Sequence, residues 1–308
     1  VRILNLPEIR GLLNYHEVID RMRDALICSS RGECDTPMPM HLNIAPESAE
    51  VHMKSSYRQG GRYFAMKIAA TFPGNTGRGL PVGNGMMLLS SAATGEPVAF
   101  LADAGHLTDV RTAAVAALVA RELGRRDKML GILGTGIQAR LQAELHAQVL
   151  PLERIVLWGR NPAHVEECRR DLSKFAEVSV AAIPAEVAFE TRLIVTCTAA
   201  REPLLHTHAI HPGTHLSCVG SDTAGKHEID AAILKSAPLL LVDSRQQCAK
   251  LGEIQHAPEE NARAVELGEF LNWTDDRKRA AAPVTVCDYT GLGVEDLYIA
   301  EYVWEKAS

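Results

Sequence analysis

The spacing of apolar and polar positions changes character several times along this chain. Asn14 followed by Glu17 has the form of a capping box, and Val18, Met22, Ala25 and Leu26 recur at helical spacing, which predicts a helix over about 15–30. The period then shortens. "RYFAMKIAATF" and "GMMLLSS" read as strands, "TGEP" as a turn and "VAFLAD" as the returning strand, so an antiparallel or mixed sheet is expected. In "HLTDVRTAAVAALVARELG" the helical pattern returns, with Thr108 as a candidate N-cap and Gly124 as the stop. This helix is expected to bridge two domains.

From residue 128 strands and helices alternate: "KMLGILG", "IQARLQAELHAQV", "RIVLWG", "PAHVEECRRDLSKFA", "VSVAA", a short helix after Pro184, "RLIVTCT", "THLSCVG", "AAILKSA" and "LLLVDS". Such alternation predicts an α/β fold, a Rossmann-type doubly wound parallel sheet with helices on both faces. An acidic, alanine-rich stretch around 256–282 reads as a loop, and "GVEDLYIAEYVWEKA" as an amphipathic helix folding back onto the first domain.

A length of 308 residues suits two domains, and 46% hydrophobic with 23% charged residues is ordinary for a globular protein. The net charge of -6 and pI near 6.1 supply no basic field for nucleic acid or an anionic membrane, so a small-molecule partner is expected. Seven cysteines are scattered without a C-x-x-C pair, which predicts reduced thiols. No run of 18 apolar residues occurs, and "VRILNLPEIR" lacks the form of a signal peptide. A cytoplasmic protein is the expectation.

"GILGTGIQAR" places Gly134, Gly136 and Ala139 behind an apolar run and at the opening of a helix. In a dinucleotide-binding turn the first glycine permits the bend, the second lets the backbone approach the pyrophosphate, and a small third residue lets helix and strand pack closely. Thr135, Ile137 and Gln138 complete the candidate turn, whose phosphates would sit over unpaired amides at the helix start. After the second strand stand Gly159, Arg160 and Asn161, with no carboxylate for a ribose 2′-hydroxyl. An arginine there can neutralise a 2′-phosphate, so NADP(H) is favoured over NAD(H).

Two other stretches carry less. "GSDTAGK" at 220–226 fits G-x-x-x-x-G-K, but His227 follows in place of the magnesium-binding Ser or Thr, and Asp222 would put negative charge inside a phosphate cradle. His206, His208, His211 and His215 are dense, yet no cysteine or carboxylate set completes a metal site, so none is expected. A serine-hydrolase G-x-S-x-G elbow is also missing from the sequence.

With these residues in view, the chain resembles the ornithine cyclodeaminase and mu-crystallin family over nearly its whole length. The resemblance is carried by "MKIAATFPGNTGRGLP" (66–81), "LTDVRTAAVAAL" (107–118), "ILGTGIQA" (132–139), "HLSCVGSDTAGKHEID" (215–230) and "GLGVEDL" (291–297). It implies an N-terminal α+β substrate-binding and dimerisation domain, residues 1–115 completed by the C-terminal helix at 290–308. An NAD(P)-binding Rossmann domain at 116–289 is implied between them, with a homodimer as the assembly.

The chemistry implied is hydride transfer between nicotinamide and the α-carbon of an amino or imino acid. By resemblance Lys67 and Arg111 match substrate-carboxylate cations, Arg111 also reaching the cofactor. Asp222 matches a catalytic acid beside the reacting amines, Lys67 shares the catalytic role, and Thr198 and Lys226 match cofactor contacts. Ornithine cyclodeaminase is the best single label, because Asp222 and Lys226 are both present. An imine reductase or alanine-type dehydrogenase is the nearest rival, and a non-catalytic NADP-dependent binder of mu-crystallin type comes from another class. The chain departs from the family pattern at Pro39, where an arginine is usual, at Val82, where a threonine is usual, and within "CDYTGLG", where a serine is usual.

Overall fold

The computed structural model describes residues 1–279 and 283–308, and the chain divides into two compact units. One joins Val1–Thr112 to Leu292–Ser308; the other is Ala113–Gly291.

The first unit begins with β1 (Arg2–Asn5), α1 (Leu6–Leu12) and α2 (Tyr15–Ser30). The expected cap at Asn14 is present, its side chain accepting from His16 N and Glu17 N. After α2 come β2 (Cys34–Asp35), β3 (Met40–Ile44), β4 (Ala49–Arg58), β5 (Tyr63–Thr71), β6 (Gly83–Ser91) and β7 (Pro97–Ala102). They form a mixed sheet in the order β1-β7-β6-β5-β4-β2, with β3 also on β4 and only β1 running parallel to its neighbour. The sheet alternates as a half-buried sheet must. Ala65, Lys67, Met87, Leu89, Ala99 and Leu101 face inward, whereas Met66, Ile68 and Met86 are exposed.

α3 (His106–Glu122) crosses the unit boundary. It starts two residues before Thr108, the expected cap, because Asp103 Oδ2 already accepts from Leu107 N at 2.8 Å. A second expectation also fails. Cys28 and Cys34 form a disulfide, since the turn at Arg31–Gly32, with Gly32 at φ +67°, brings their Cα atoms to 6.1 Å. The other five cysteines are free thiols.

The second unit runs β8 (Met129–Leu133), α4 (Ile137–Val149), β9 (Arg154–Trp158), α5 (Pro162–Leu172), β10 (Glu177–Val180), α6 (Pro184–Glu190), β11 (Leu193–Thr196) and β12 (Thr214–Cys218). It continues through α7 (Ala231–Ser236), β13 (Leu239–Val242), α8 (Arg245–Leu251), β14 (Val265–Glu266), α9 (Leu267–Leu271), α10 (Asp275–Arg279) and β15 (Val284–Asp288). All eight strands pair in parallel in the order β10-β9-β8-β11-β12-β15-β13-β14. Leu133, Val156, Ile194, Leu216, Leu240 and Val286 lie in the apolar core of this sheet. The stretch expected as a loop at 256–282 holds β14, α9 and α10, with 280–282 outside the described residues.

The strand order reverses direction between β8 and β11, the topological switch point at which open α/β sheets place a crevice. Finally α11 (Gly293–Ala307) returns to the first unit and packs on β4, β5 and α2. Its residues from Gly293 to Val303 are all buried. A Cβ at Gly293 would lie 2.6 Å from Ser55 O, so only glycine lets the helix start this close to β4. Among the described residues no helix is long and apolar enough to cross a membrane.

Candidate functional site

In the first unit the inward face of the sheet carries charge where the pattern predicts apolar residues. Lys67 on β5 and Arg111 on α3 are 3% and 4% exposed. Lys67 Nζ lies 3.2 Å from Asp296 Oδ2; Arg111 Nε donates to Asp296 Oδ1 at 3.1 Å, and its Nη1 to Glu295 Oε2 at 3.0 Å. Both carboxylates stand in the first turn of α11. Lys54, also buried, is the register partner of Lys67 across β4 and β5, so the two side chains share one face.

Three cations therefore meet two carboxylates. The nearby Asp103 is committed to the amides at the start of α3, and burial raises its carboxyl above the usual range. Burial also pulls the Lys67 ammonium down to about 7; Asp296 opposes this, while Arg111 and Lys54 add to it. Asp296 feels burial upward, yet Lys67, Arg111 and Lys54 together hold it below its ordinary value. A buried cluster with three cationic side chains suits an anionic ligand, and a lysine titrating near neutrality can hold or release a proton. Arg111 was expected to serve both substrate and cofactor; its guanidinium is engaged by the α11 carboxylates.

In the second unit a cavity of about 300 Å³ lies at the switch point, lined by Gly134, Thr135, Gly136, Arg160, Asn161 and Thr198 among others. Gly134 has φ +132°, and a Cβ there would meet Cys197 O at 2.6 Å and Cys197 Sγ at 2.8 Å. Gly136 has open space on its Cβ side. α4 also lacks a side-chain cap, whereas Asn161 caps α5 and Ser244 caps α8. A helix start without a side-chain cap, beside an open glycine, fits a pyrophosphate, so these residues suit a dinucleotide. Ile137 opens α4 half exposed, and Gln138 accepts from Gln142 Nε2 at 3.3 Å.

Arg160 is exposed at the end of β9 and lines both this cavity and a neighbouring hollow. The acid of that hollow, Glu166, is bound by Arg169 at 2.8 Å through both oxygens. Asn161 spends its side-chain oxygen on Ala163 N and His164 N. Thr198 Oγ1 donates to Glu228 at 2.7 Å. Asp222 and Lys226 are brought together, but with each other: Nζ lies 2.5 Å from Asp222 Oδ1. Of the histidine group, His215 is buried on β12 against Thr285 and Ser217, and the described residues hold no cluster that could bind a metal.

Lys54, Glu295, Asp296 and Glu228 escaped the sequence reading. Lys54 was detectable as a lysine on the inward phase of a strand. The acids of "GVEDL" read as ordinary first-turn acids, which a helix dipole favours in any case.

Comparisons with known proteins show what the chain is similar to. A Sinorhizobium fredii protein named as an uncharacterized cyclodeaminase is 35% identical, over 88% of this chain and 84% of its own length. The structure of Thermococcus litoralis Δ1-pyrroline-2-carboxylate reductase with NADH and L-proline superposes with a TM-score of 0.91 at 25% identity, covering 100% of this chain and 97% of that one. A lysine cyclodeaminase, solved for its recognition of L-lysine, L-ornithine and L-2,4-diaminobutyric acid, gives 0.90 at 28% identity, covering 100% and 92%. The sequence model of the ornithine cyclodeaminase/mu-crystallin family matches residues 2–308, and the chain belongs to that family.

Proposed function

We propose that this protein is a nicotinamide-dependent enzyme that reduces an α-imino acid, with a cyclic imine such as Δ1-pyrroline-2-carboxylate as the substrate class. The observation that carries the reading is the buried cationic group Lys54, Lys67 and Arg111, with Asp296 pairing to Lys67 and Arg111 and Glu295 to Arg111. One substrate carboxylate is attracted by this group, whereas the second ammonium of ornithine would meet three cations. A nicotinamide held by the lining of the switch-point cavity would supply a hydride, and reduction of the imine also requires a proton at its nitrogen. Lys67, brought to about 7, holds the carboxylate and is placed to supply that proton. Arg111 and Lys54 fix the anion and so restrict the orientation of the α-carbon.

Arg160, with no free acid beside it, supports NADP(H) over NAD(H). A second reading, ornithine cyclodeaminase, is supported by Asp222 on the loop after β12, although its pairing with Lys226 leaves that carboxylate a poor base. Incubation with Δ1-pyrroline-2-carboxylate and NADPH is expected to give proline, one cofactor oxidised per imine and no ammonia. Proline and ammonia from ornithine with catalytic oxidised cofactor would reverse the order of the two readings. In the same samples NADP should raise the melting temperature more than NAD at equal concentration.

The outer sheet face supports self-association. Met40, Met53, Ile68 and Met86 are register partners across β3 to β6, and Met40, Ile68 and Met86 are exposed. We assign this face to a homodimer: the wild type should sediment as a dimer and Ile68→Lys as a monomer, and a monomeric wild type would remove the assignment.

A further inference from the structure

Glu228 is fully buried between the ends of β11 and β12, and nothing in the proposed reaction uses it. Its Oε1 accepts from Thr198 N at 2.6 Å and from Thr198 Oγ1 at 2.7 Å; its Oε2 accepts from Thr196 Oγ1 at 2.7 Å and from Gly220 N at 2.9 Å. One carboxylate thus takes four donors from two different strand ends. Burial raises its pKa, and each of these bonds pulls it back down. The close approach is built in, because a Cβ on Gly220 would sit 2.4 Å from Thr198 O and 2.6 Å from Glu228 Oε1. Glu228 is itself held: its backbone N–H donates to Glu253 Oε1 at 2.8 Å, and Leu204 N donates to its carbonyl at 2.8 Å.

The cavity at the switch point has two ends. Arg160 and Asn161 lie at the β9 end, where the adenosine ribose of a dinucleotide belongs, and the glycine turn takes the pyrophosphate. Thr198, Ala199 and Ala200 form the β11 end, left for the nicotinamide half. We propose that Glu228 is a positioning residue for the nicotinamide half of the cofactor, setting through Thr198 and Gly220 the spacing of the two strand ends that wall it. The inference rests on the cofactor reading given above. It adds that one buried carboxylate governs only one half of the dinucleotide.

The test compares two probes, NADH and ADP-ribose, by calorimetric titration of wild type, Glu228→Gln and Thr198→Val. Glutamine keeps the volume but turns an amide NH2 toward donors that now meet an oxygen. The expected result is a dissociation constant for NADH at least tenfold higher in Glu228→Gln, with ADP-ribose unchanged within twofold. Thr198→Val, which deletes a single donor to Glu228, should move the same way by a smaller factor, and it serves as the readout if Glu228→Gln does not fold. Unchanged NADH binding in both variants overturns the proposal. So does an equal loss for both probes, which marks a general structural role. Should the wild type bind neither probe, NADPH and 2′-phospho-ADP-ribose replace them; a wild type that binds none of the four fails at the cofactor reading itself and takes this inference with it, an outcome separable from a defect seen only in the variants.

Discussion

Lys67→Met is expected to lower kcat/KM for a cyclic α-imino acid by about three orders of magnitude. Two effects combine. The substrate carboxylate loses a buried cation, and the imine nitrogen loses its proton source. Asp296 keeps Arg111 at 3.1 Å, so the variant should still fold, at a cost of about 3 kcal/mol or less. The wild-type pH dependence gives a second reading of the same residue. Lys67 in the folded protein titrates near 7 instead of 10.5, with burial the leading cause and Arg111 and Lys54 reinforcing it against Asp296. As pH rises past that value the clamp discharges, so kcat/KM should fall about tenfold per unit.

Stability responds with the opposite sign. Between about 7 and 10.5 the unfolded chain binds a proton at Lys67 that the folded chain does not, so this group adds stability as pH rises, by at most about 1.4 kcal/mol per unit. Lys67→Met should lose the alkaline limb of kcat/KM and this contribution together. Full turnover in the variant, or an alkaline limb that persists in it, would remove Lys67 from both roles.

Gly134→Ala should damage both the second unit and cofactor binding. Its φ of +132° lies where side chains are strained, by about 1–3 kcal/mol, and the new methyl would press on Cys197 O at 2.6 Å. Relief requires the ends of β8 and β11 to part at the switch point. A fall in melting temperature of about 4–10 °C is expected, with NADH affinity reduced at least tenfold. Gly136→Ala is the control, since nothing lies within 4 Å of its Cβ. It should leave the melting temperature alone and weaken NADH by crowding the pyrophosphate. Equal behaviour of the two variants would show that the turn does not distinguish bend from approach as described.

Much of this was legible in the chain. The alternation after residue 128 has one physical cause, strands buried on both faces beneath amphipathic helices, and it marks β8 to β12 and the turn between β8 and α4. Lys67 and Arg111 were found through resemblance, because a lysine in an apolar strand and an arginine in a helix are locally ambiguous. What the sequence concealed depends on partners far along the chain. Asp296 lies 185 residues from Arg111, and no local period links them. Glu228 follows the "GSDTAGK" loop motif and reads as a surface acid until β11 and β12 are placed side by side. The Cys28–Cys34 bridge needed the turn geometry at Gly32, which composition does not report.

The division of the first unit into two separate stretches of chain also orders events during synthesis. Residues 113–291 form one continuous run and can fold as soon as they emerge. Lys54, Lys67 and Arg111 are made early, but the acids that balance them arrive only with α11. On a ribosome stalled before residue 293 the inner sheet face would hold three cations with neither α11 carboxylate to balance them, so it would stay open to water and to proteases. The unit can close only after α11 has been translated, which makes that helix a built-in check that translation has passed the acids on which the clamp depends.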